Sequence, residues 1–241
     1  LLDVDNLIDY MLLNFYLGND DWDGHNWYAG SKRQGGPGYQ FFCWDSELII
    51  SRHQNNPPPP QPDLDIILNR DRTGLSNNNK PSRLYTALRA NPEFRLRFAD
   101  RIHRHFFNGG ALTGERILAL FEEMRDELAG AIPNMNTTIP DVWIPDRQRV
   151  LMGHFSRAGL LRSGNAPVFT PHGGVVRRGF NLWPTNLSGD IYVTTDGTDP
   201  HLLQGGVSPT ARRISGSRQD VNLFGRSATW KFLDDGSDLG G

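Results

Sequence analysis

Between Pro81 and about Leu161 apolar side chains recur every three or four residues, in four successive runs. Leu84 and Leu88 open the series, followed by Phe94, Phe98, Ile102 and Phe106, then Ile117, Leu120, Phe121, Met124 and Leu128, then Val150, Leu151 and Phe155. That spacing places each run on one face of a helix, so this third of the chain is committed to at least four amphipathic helices packed on a shared core. Gly109 and Gly110 end the second helix, and Thr113 starts the third. With 37% hydrophobic residues in 241, the chain has material for one moderate core plus a small second domain.

Upstream, Asp3 caps a further helix carrying Leu7, Ile8, Met11, Leu12 and Phe15, and Gly18 stops it. The string "GNDDWDGHNWY" follows, from Gly18 to Tyr28. Trp27–Lys32 and Tyr39–Trp44 then read as a β-hairpin turned by Gly35, Gly36, Pro37 and Gly38. Strand ends opposite a turn lie side by side, so the acidic loop before the hairpin and Asp45 after it face one volume. Residues 51–81, with the run Pro57 to Pro60 and the cluster Asn77 to Asn79, have the composition of an exposed excursion.

The pattern changes at Ser163. "APVFTPHGGVV", "FNLWP" and "DIYVTTDGTDP" are short β-branched runs broken by Gly, Pro and Asp, which predict a small antiparallel sandwich starting near Ala166 after a linker at 163–165. The fold class expected is therefore α+β: a mostly helical lobe with one β-hairpin, then a small antiparallel β-sandwich. The chain opens on Leu1 inside what reads as a helix and ends in "ATWKFLDDGSDLGG", so both ends read as cut from something longer.

Charge narrows the partners. A formal net charge of -2 leaves no basic excess with which to displace counterions from phosphates, so nucleic acid is not an expected partner. No apolar run approaches the ~20 residues of a membrane span. The single Cys43 excludes an internal disulfide and a cysteine zinc cluster, and in its apolar strand it reads as a small buried hydrophobe. His103 and His105, two apart on a helix, point to different faces rather than to one metal.

Phosphoryl transfer needs a carboxylate to orient and deprotonate the attacking hydroxyl, and oxygen ligands to hold Mg²⁺ against the nucleotide phosphates. Asp21 and Asn26 have the D-x-x-x-x-N spacing that protein kinases use for base and metal ligand. The hairpin and Asp45 complete the order in which a second metal-binding aspartate follows. Asp20, Asp21 and Asp23 taken alone also suit a solvated turn, since Asp is a default turn residue. His25 reads as support for the loop, through a hydrogen bond or packing on Trp27. Trp22, Trp27, Phe41, Phe42 and Trp44 read mostly as core.

"DVDNLIDYMLLNFYLGNDDWDGHNWY", "FFCWDSE" and "NPEFRLRFADRIHRHFFNGGALT" together resemble the CotH family, atypical kinases named for a spore-coat protein and found in large secreted bacterial proteins. The resemblance covers residues 1–162. It implies the C-terminal lobe of a kinase domain, with ATP and Mg²⁺ or Mn²⁺ as cofactors and Ser or Thr of exported proteins as acceptors. It also implies Asp21 as catalytic base and Asn26, Asp45 and Glu47 as metal ligands, with Glu47 standing where many relatives carry an Asp. Asp23, in "WDG", matches the family's aromatic-Asp-Gly string and stands as the alternative base. The family's nucleotide-covering loop and phosphate-pairing lysine fall upstream of Asp3, so no nucleotide-binding residue is assigned.

"GDIYVTTDGTDP" is similar to the immunoglobulin-like domain at the C-terminus of chitobiases, over about residues 166–222, and makes Asp196-Gly197 a hairpin turn. "WKFLDDGSD" resembles the opening of another extracellular β domain at 223–241. These neighbours imply an extracellular or cell-surface bacterial protein with carbohydrate or surface association. The alternative function is a surface or matrix interaction protein built on a degenerate kinase-like scaffold. A carboxylate-pair glycosidase would leave Asn26 without a role.

Overall fold

The computed structural model describes residues 1–50, 68–133, 135, 137–162, 166–182, 184–185, 190–202 and 205–214. The chain divides into two compact units, Leu1–Arg162 and Ser163–Gly241. The expected linker at 163–165, the run Pro57 to Pro60 and the segment 223–241 lie outside the described residues, as does the 215–222 end of the expected sandwich.

In the first unit the order is helix α1 (Val4–Leu17), strands β1 (Trp27–Gly30) and β2 (Gln40–Cys43), then helices α2 (Pro81–Leu88), α3 (Pro92–Phe106), α4 (Gly114–Leu128) and α5 (Ile144–Arg157). A π-helical turn, Ile139–Trp143, leads into α5. With the two short antiparallel strand pairs this is an α+β architecture.

Helix α1 is the centre of the core. Leu7, Ile8, Met11, Leu12 and Phe15 are fully buried, and Tyr10, Asn14 and Tyr16 are buried beside them, so the helix is covered on nearly every side. Asp3 caps it, with the Asn6 amide donating to Asp3 Oδ1 at 3.0 Å. Gly18 ends it in the left-handed region at φ 61°, a conformation that costs glycine nothing. Phe15 meets Tyr85 edge-on at 5.5 Å between centroids, and Phe155 lies against Phe98 and Phe106, each at 6.0 Å. These contacts join α1, α2, α3 and α5 through rings whose edge-to-face packing adds to plain burial.

Ion pairs tie α1 to α3 on the surface. Arg97 pairs with Asp5, while Arg101 Nε and His105 Nε2 approach Asp9 Oδ1 at 2.7 and 2.9 Å. Burial by itself would raise the Asp9 carboxyl, but the hydrogen bonds from His105 and Arg101 outweigh it and hold the group below its usual value. A carboxyl depressed in the fold stabilises fully above its unfolded value near ~3.9, and that contribution disappears as pH falls through the folded value. Asp9→Asn is therefore expected to lower the thermal midpoint by ~2–4 °C at neutral pH, the equivalent of about 1 kcal/mol, and by much less near pH ~2. Circular dichroism melts at the two pH values check it. An equal loss at both would remove the ionic explanation.

The hairpin is fastened to α1 by side chains. Asn6 Oδ1 accepts from Phe41 N at 2.5 Å while Asn6 Nδ2 donates to Phe41 O at 3.3 Å, and Gln40 Nε2 donates to Asp3 Oδ2 at 2.9 Å. Trp27 faces Cys43 and Gly30 faces Gln40 in the antiparallel register. Leu2 pairs in parallel with Tyr39, and Gly38 is required there, since a Cβ would sit 2.7 Å from the Leu1 carbonyl atoms.

Three expectations are corrected. Helix α4 forms, but Leu120, Met124 and Leu128 are exposed; only Ile117, Leu118 and Phe121 reach the core. The apolar arc of α4 is wider than the face that α5 covers. Cys43 is exposed rather than buried, because it ends β2, with its Sγ 3.9 Å from Asn14 Nδ2. The expected excursion is also shorter than read: residues 68–80 are ordered turns bonded to the first unit.

In the second unit, β3 (Ile191–Val193) pairs antiparallel with β4 (Arg212–Ile214), and bridges join Val168 to Thr185 and His201 to Val207. A second packed sheet is not found among the described residues. Asp196 Oδ1 accepts from Thr198 N at 3.0 Å and from Thr198 Oγ1 at 2.6 Å, with Gly197 at φ 77°, so this aspartate serves a turn.

Candidate active site

Gly18 turns the chain out of α1 into the acidic loop, and the loop closes on itself before β1 begins. The carbonyl of Asp21 accepts from the amides of Gly24 at 2.8 Å and His25 at 3.3 Å, making one tight turn. At its far end Asn26 donates from one amide nitrogen to two acceptors, Asp21 Oδ2 at 2.8 Å and the Asp45 carbonyl at 3.0 Å. Asn26 thus joins the loop before the hairpin to the residue after it. Asp45 has φ 48°, a left-handed backbone uncommon for a non-glycine residue.

The three aspartates of the loop have different surroundings. Asp23 is buried, with Oδ1 accepting from Ser82 N at 2.9 Å and Oδ2 from Ser82 Oγ and Asn77 Nδ2, both at 2.6 Å. Its carboxylate meets the first turn of α2, where free backbone amides and the helix dipole favour an anion. Asp20 pairs with Arg70 and Arg72. Asp21 keeps one oxygen on Asn26, whereas its Oδ1 is buried and has no hydrogen-bond partner. A buried carboxylate oxygen without a donor is costly.

Glu47 and His25 are exposed, and neither side chain hydrogen-bonds to the described residues. The support expected from His25 comes from its backbone, whose amide meets Asp21 and whose carbonyl accepts from Trp27 N at 3.0 Å. Of the aromatic residues read as core, Trp22 is buried, but Trp44 is 60% exposed and Phe42 40% exposed. Tyr28 stacks on Phe42 at 5.2 Å and meets Trp44 edge-on at 6.5 Å, giving an open aromatic face beside Asp45.

The groups that Asn26 contacts are oxygens, the Asp21 carboxylate and the Asp45 backbone carbonyl. Hard oxygen donors suit Mg²⁺ or Mn²⁺. Among the described residues no three His, Cys, Asp or Glu side chains gather as a metal-binding group. His103 stacks on Phe107 and His105 meets Asp9, so the two histidines serve separate contacts.

Several residues that shape the site carry no local signal in the sequence. Arg70 and Arg72 meet Asp20 across some fifty positions, Asn77 and Ser82 meet Asp23, and Lys80 Nζ donates to the Gly24 carbonyl. Arg147 is fully buried on α5 and donates to the carbonyls of Phe15, Tyr16, Leu68 and Arg70. A charged cluster just after a proline-rich excursion, "NRDR" at 69–72, was the one available hint.

Neither the curated proteins nor the solved structures include a match to this chain. The family model described as CotH kinase protein matches residues 1–144, more than half of the sequence, a span that includes the loop, the hairpin and helices α1 to α4. The chain belongs to the CotH kinase family.

Proposed function

We propose that the first unit carries the acid–base and metal-binding half of an ATP-dependent protein kinase, transferring the γ-phosphate to Ser or Thr of exported proteins. The observation that carries this reading is the single amide nitrogen of Asn26 bonded to both the Asp21 carboxylate and the Asp45 backbone. It ties the base to the metal-ligand residue across the hairpin, and base and metal must converge on one phosphate.

Asp21 orients the acceptor hydroxyl and takes its proton as that oxygen bonds to the γ-phosphorus and the bond to the bridging β,γ oxygen breaks. Asn26 Oδ1 and the Asp45 carboxylate would hold Mg²⁺ or Mn²⁺, with Glu47 available as a further acid. When bound, the metal neutralises charge on the phosphates. Asp23 anchors the loop to α2 and leaves the role of base to Asp21. The Tyr28, Phe42 and Trp44 face supplies a stacking surface beside Asp45. Among the described residues no helix is long and apolar enough to cross a membrane. The β-rich second unit supports an extracellular or cell-surface setting with carbohydrate or surface association.

Asp45→Asn tests the metal half. It removes one anionic oxygen at nearly constant volume, so Mg²⁺-dependent ATP affinity in the full-length protein is expected to fall by roughly tenfold or more, while the thermal midpoint stays unchanged. Calorimetric titration of ATP with and without Mg²⁺ measures both. Equal affinity in the variant and the native protein would remove Asp45 from the metal site.

A further inference from the structure

Asp20 is the most heavily tied residue of the loop, and phosphoryl transfer assigns it nothing to do. Its amide donates to the Leu48 carbonyl at 3.0 Å, its own carbonyl accepts from Arg72 at 3.5 Å, and its carboxylate, 15% exposed, pairs with both Arg70 and Arg72. Next to it, Ile50 N donates to the Leu17 carbonyl at 3.1 Å. Residues 48–50 and 70–72 therefore both hold this bend. Arg147 holds one of these grips in place, donating to the carbonyls of Leu68 and Arg70 and, from the same guanidinium, to Phe15 and Tyr16 at the end of α1.

Two guanidinium groups on one carboxylate exceed what charge neutralisation of Asp20 requires. A single arginine fork would satisfy both of its oxygens. Both arginines reach Oδ1, so the second adds a further restraint on the same carboxylate, and a residue held in this way fixes the backbone that follows it. The next residue is Asp21, whose carboxylate is otherwise fixed, among the described residues, only by the one hydrogen bond from Asn26.

We propose that Asp20, held by Arg70 and Arg72, is a positioning residue that sets the place of the Asp21 carboxylate for phosphoryl transfer. The proposal rests on the kinase reading above. It makes the ionic clamp, not packing alone, the element that aims the base. Asp20 itself touches neither nucleotide nor acceptor, so its loss acts on turnover and leaves nucleotide affinity alone.

The experiment uses the full-length protein with γ-phosphate-labelled ATP, Mg²⁺ and casein as acceptor. Asp20→Asn is expected to lower kcat by about tenfold or more, the scale of a small misplacement of a catalytic group, with the KM for ATP changed by less than about twofold. Asp20→Glu, which keeps the charge, is expected to recover most of the lost kcat. Asp9→Asn, which breaks a surface ion pair of α1 away from the loop, is expected to lower the thermal midpoint without lowering kcat. Should Asp20→Asn fail to fold, Arg72→Gln gives the same comparison with Arg70 still in place. A folded Asp20 or Arg72 variant with native kcat overturns the proposal while native transfer upholds the kinase reading. So does a Asp20→Glu variant that recovers nothing, or a loss shared equally between kcat and KM. A native protein that neither binds Mg²⁺–ATP nor transfers phosphate overturns both.

Discussion

Asp21→Asn in the full-length protein is expected to reduce phosphoryl transfer by ~10²–10⁴-fold, the range of a lost general base, while Mg²⁺-dependent nucleotide binding persists. The substitution keeps the shape of the side chain, and an amide oxygen can still accept from Asn26 Nδ2, now at 2.8 Å from Asp21 Oδ2. The turn itself is held by the Asp21 carbonyl, which the variant retains. What disappears is the capacity to take a proton. Asp23→Asn provides the contrast. Asp23 receives three donors from Ser82 and Asn77, so an amide nitrogen placed there faces donors and leaves at least one of them unpaired. Its loss is expected to appear as reduced stability before it appears as reduced chemistry. Turnover lost only in Asp23→Asn, with Asp21→Asn active, would transfer the role of base to Asp23.

The second large effect is on stability. Arg147→Met is expected to destabilise the fold by about 3 kcal/mol or more, because the side chain donates to several backbone carbonyls in a buried junction. Burial pushes its guanidinium down to about 10, so it still carries its charge at neutral pH. Methionine fills much of the volume but leaves the carbonyls of Phe15, Tyr16, Leu68 and Arg70 without these donors. For a unit of this size the thermal midpoint is expected to fall by roughly 6–12 °C, read by circular dichroism on the 241-residue chain. Arg147→Lys is expected to recover little, since a point ammonium cannot span carbonyls in several directions. A midpoint within about 2 °C of native for Arg147→Met would show that the junction closes without the guanidinium.

How far the sequence carried the fold depended on whether each cause was local. Asp3 and Gly18 are the boundaries of α1 because capping and left-handed backbone are decided within a few residues. The apolar repeats in Pro81–Leu161 gave the helices, and the glycine cluster gave the hairpin, for the same reason. Periodicity could not say what covers a face: it marked Leu120, Met124 and Leu128 as apolar, yet α4 turns them to solvent. Nor could it place Cys43, whose exposure follows from its position at the end of β2.

The candidate site divides along the same line. Its order, Asp21, Asn26, hairpin, Asp45, was legible because the hairpin returns the chain to its starting point. The difference between Asp21 and Asp23 was not, because it lies in partners more than fifty positions away: Asn77 and Ser82 on Asp23. Arg70 and Arg72 on Asp20 are distant in the same way, and Asn77 had read as part of an exposed excursion.

The most direct measurement of the central claim is anomalous diffraction from crystals of the full-length protein grown with Mn²⁺ and a non-hydrolysable ATP analogue. The account predicts a Mn²⁺ ion about 2.1 Å from Asn26 Oδ1 and from an Asp45 carboxylate oxygen, with the γ-phosphate on the same ion and the Asp21 carboxylate facing it. A nucleotide-bound crystal with Mn²⁺ elsewhere, or with Asp21 turned away from the γ-phosphate, would contradict it.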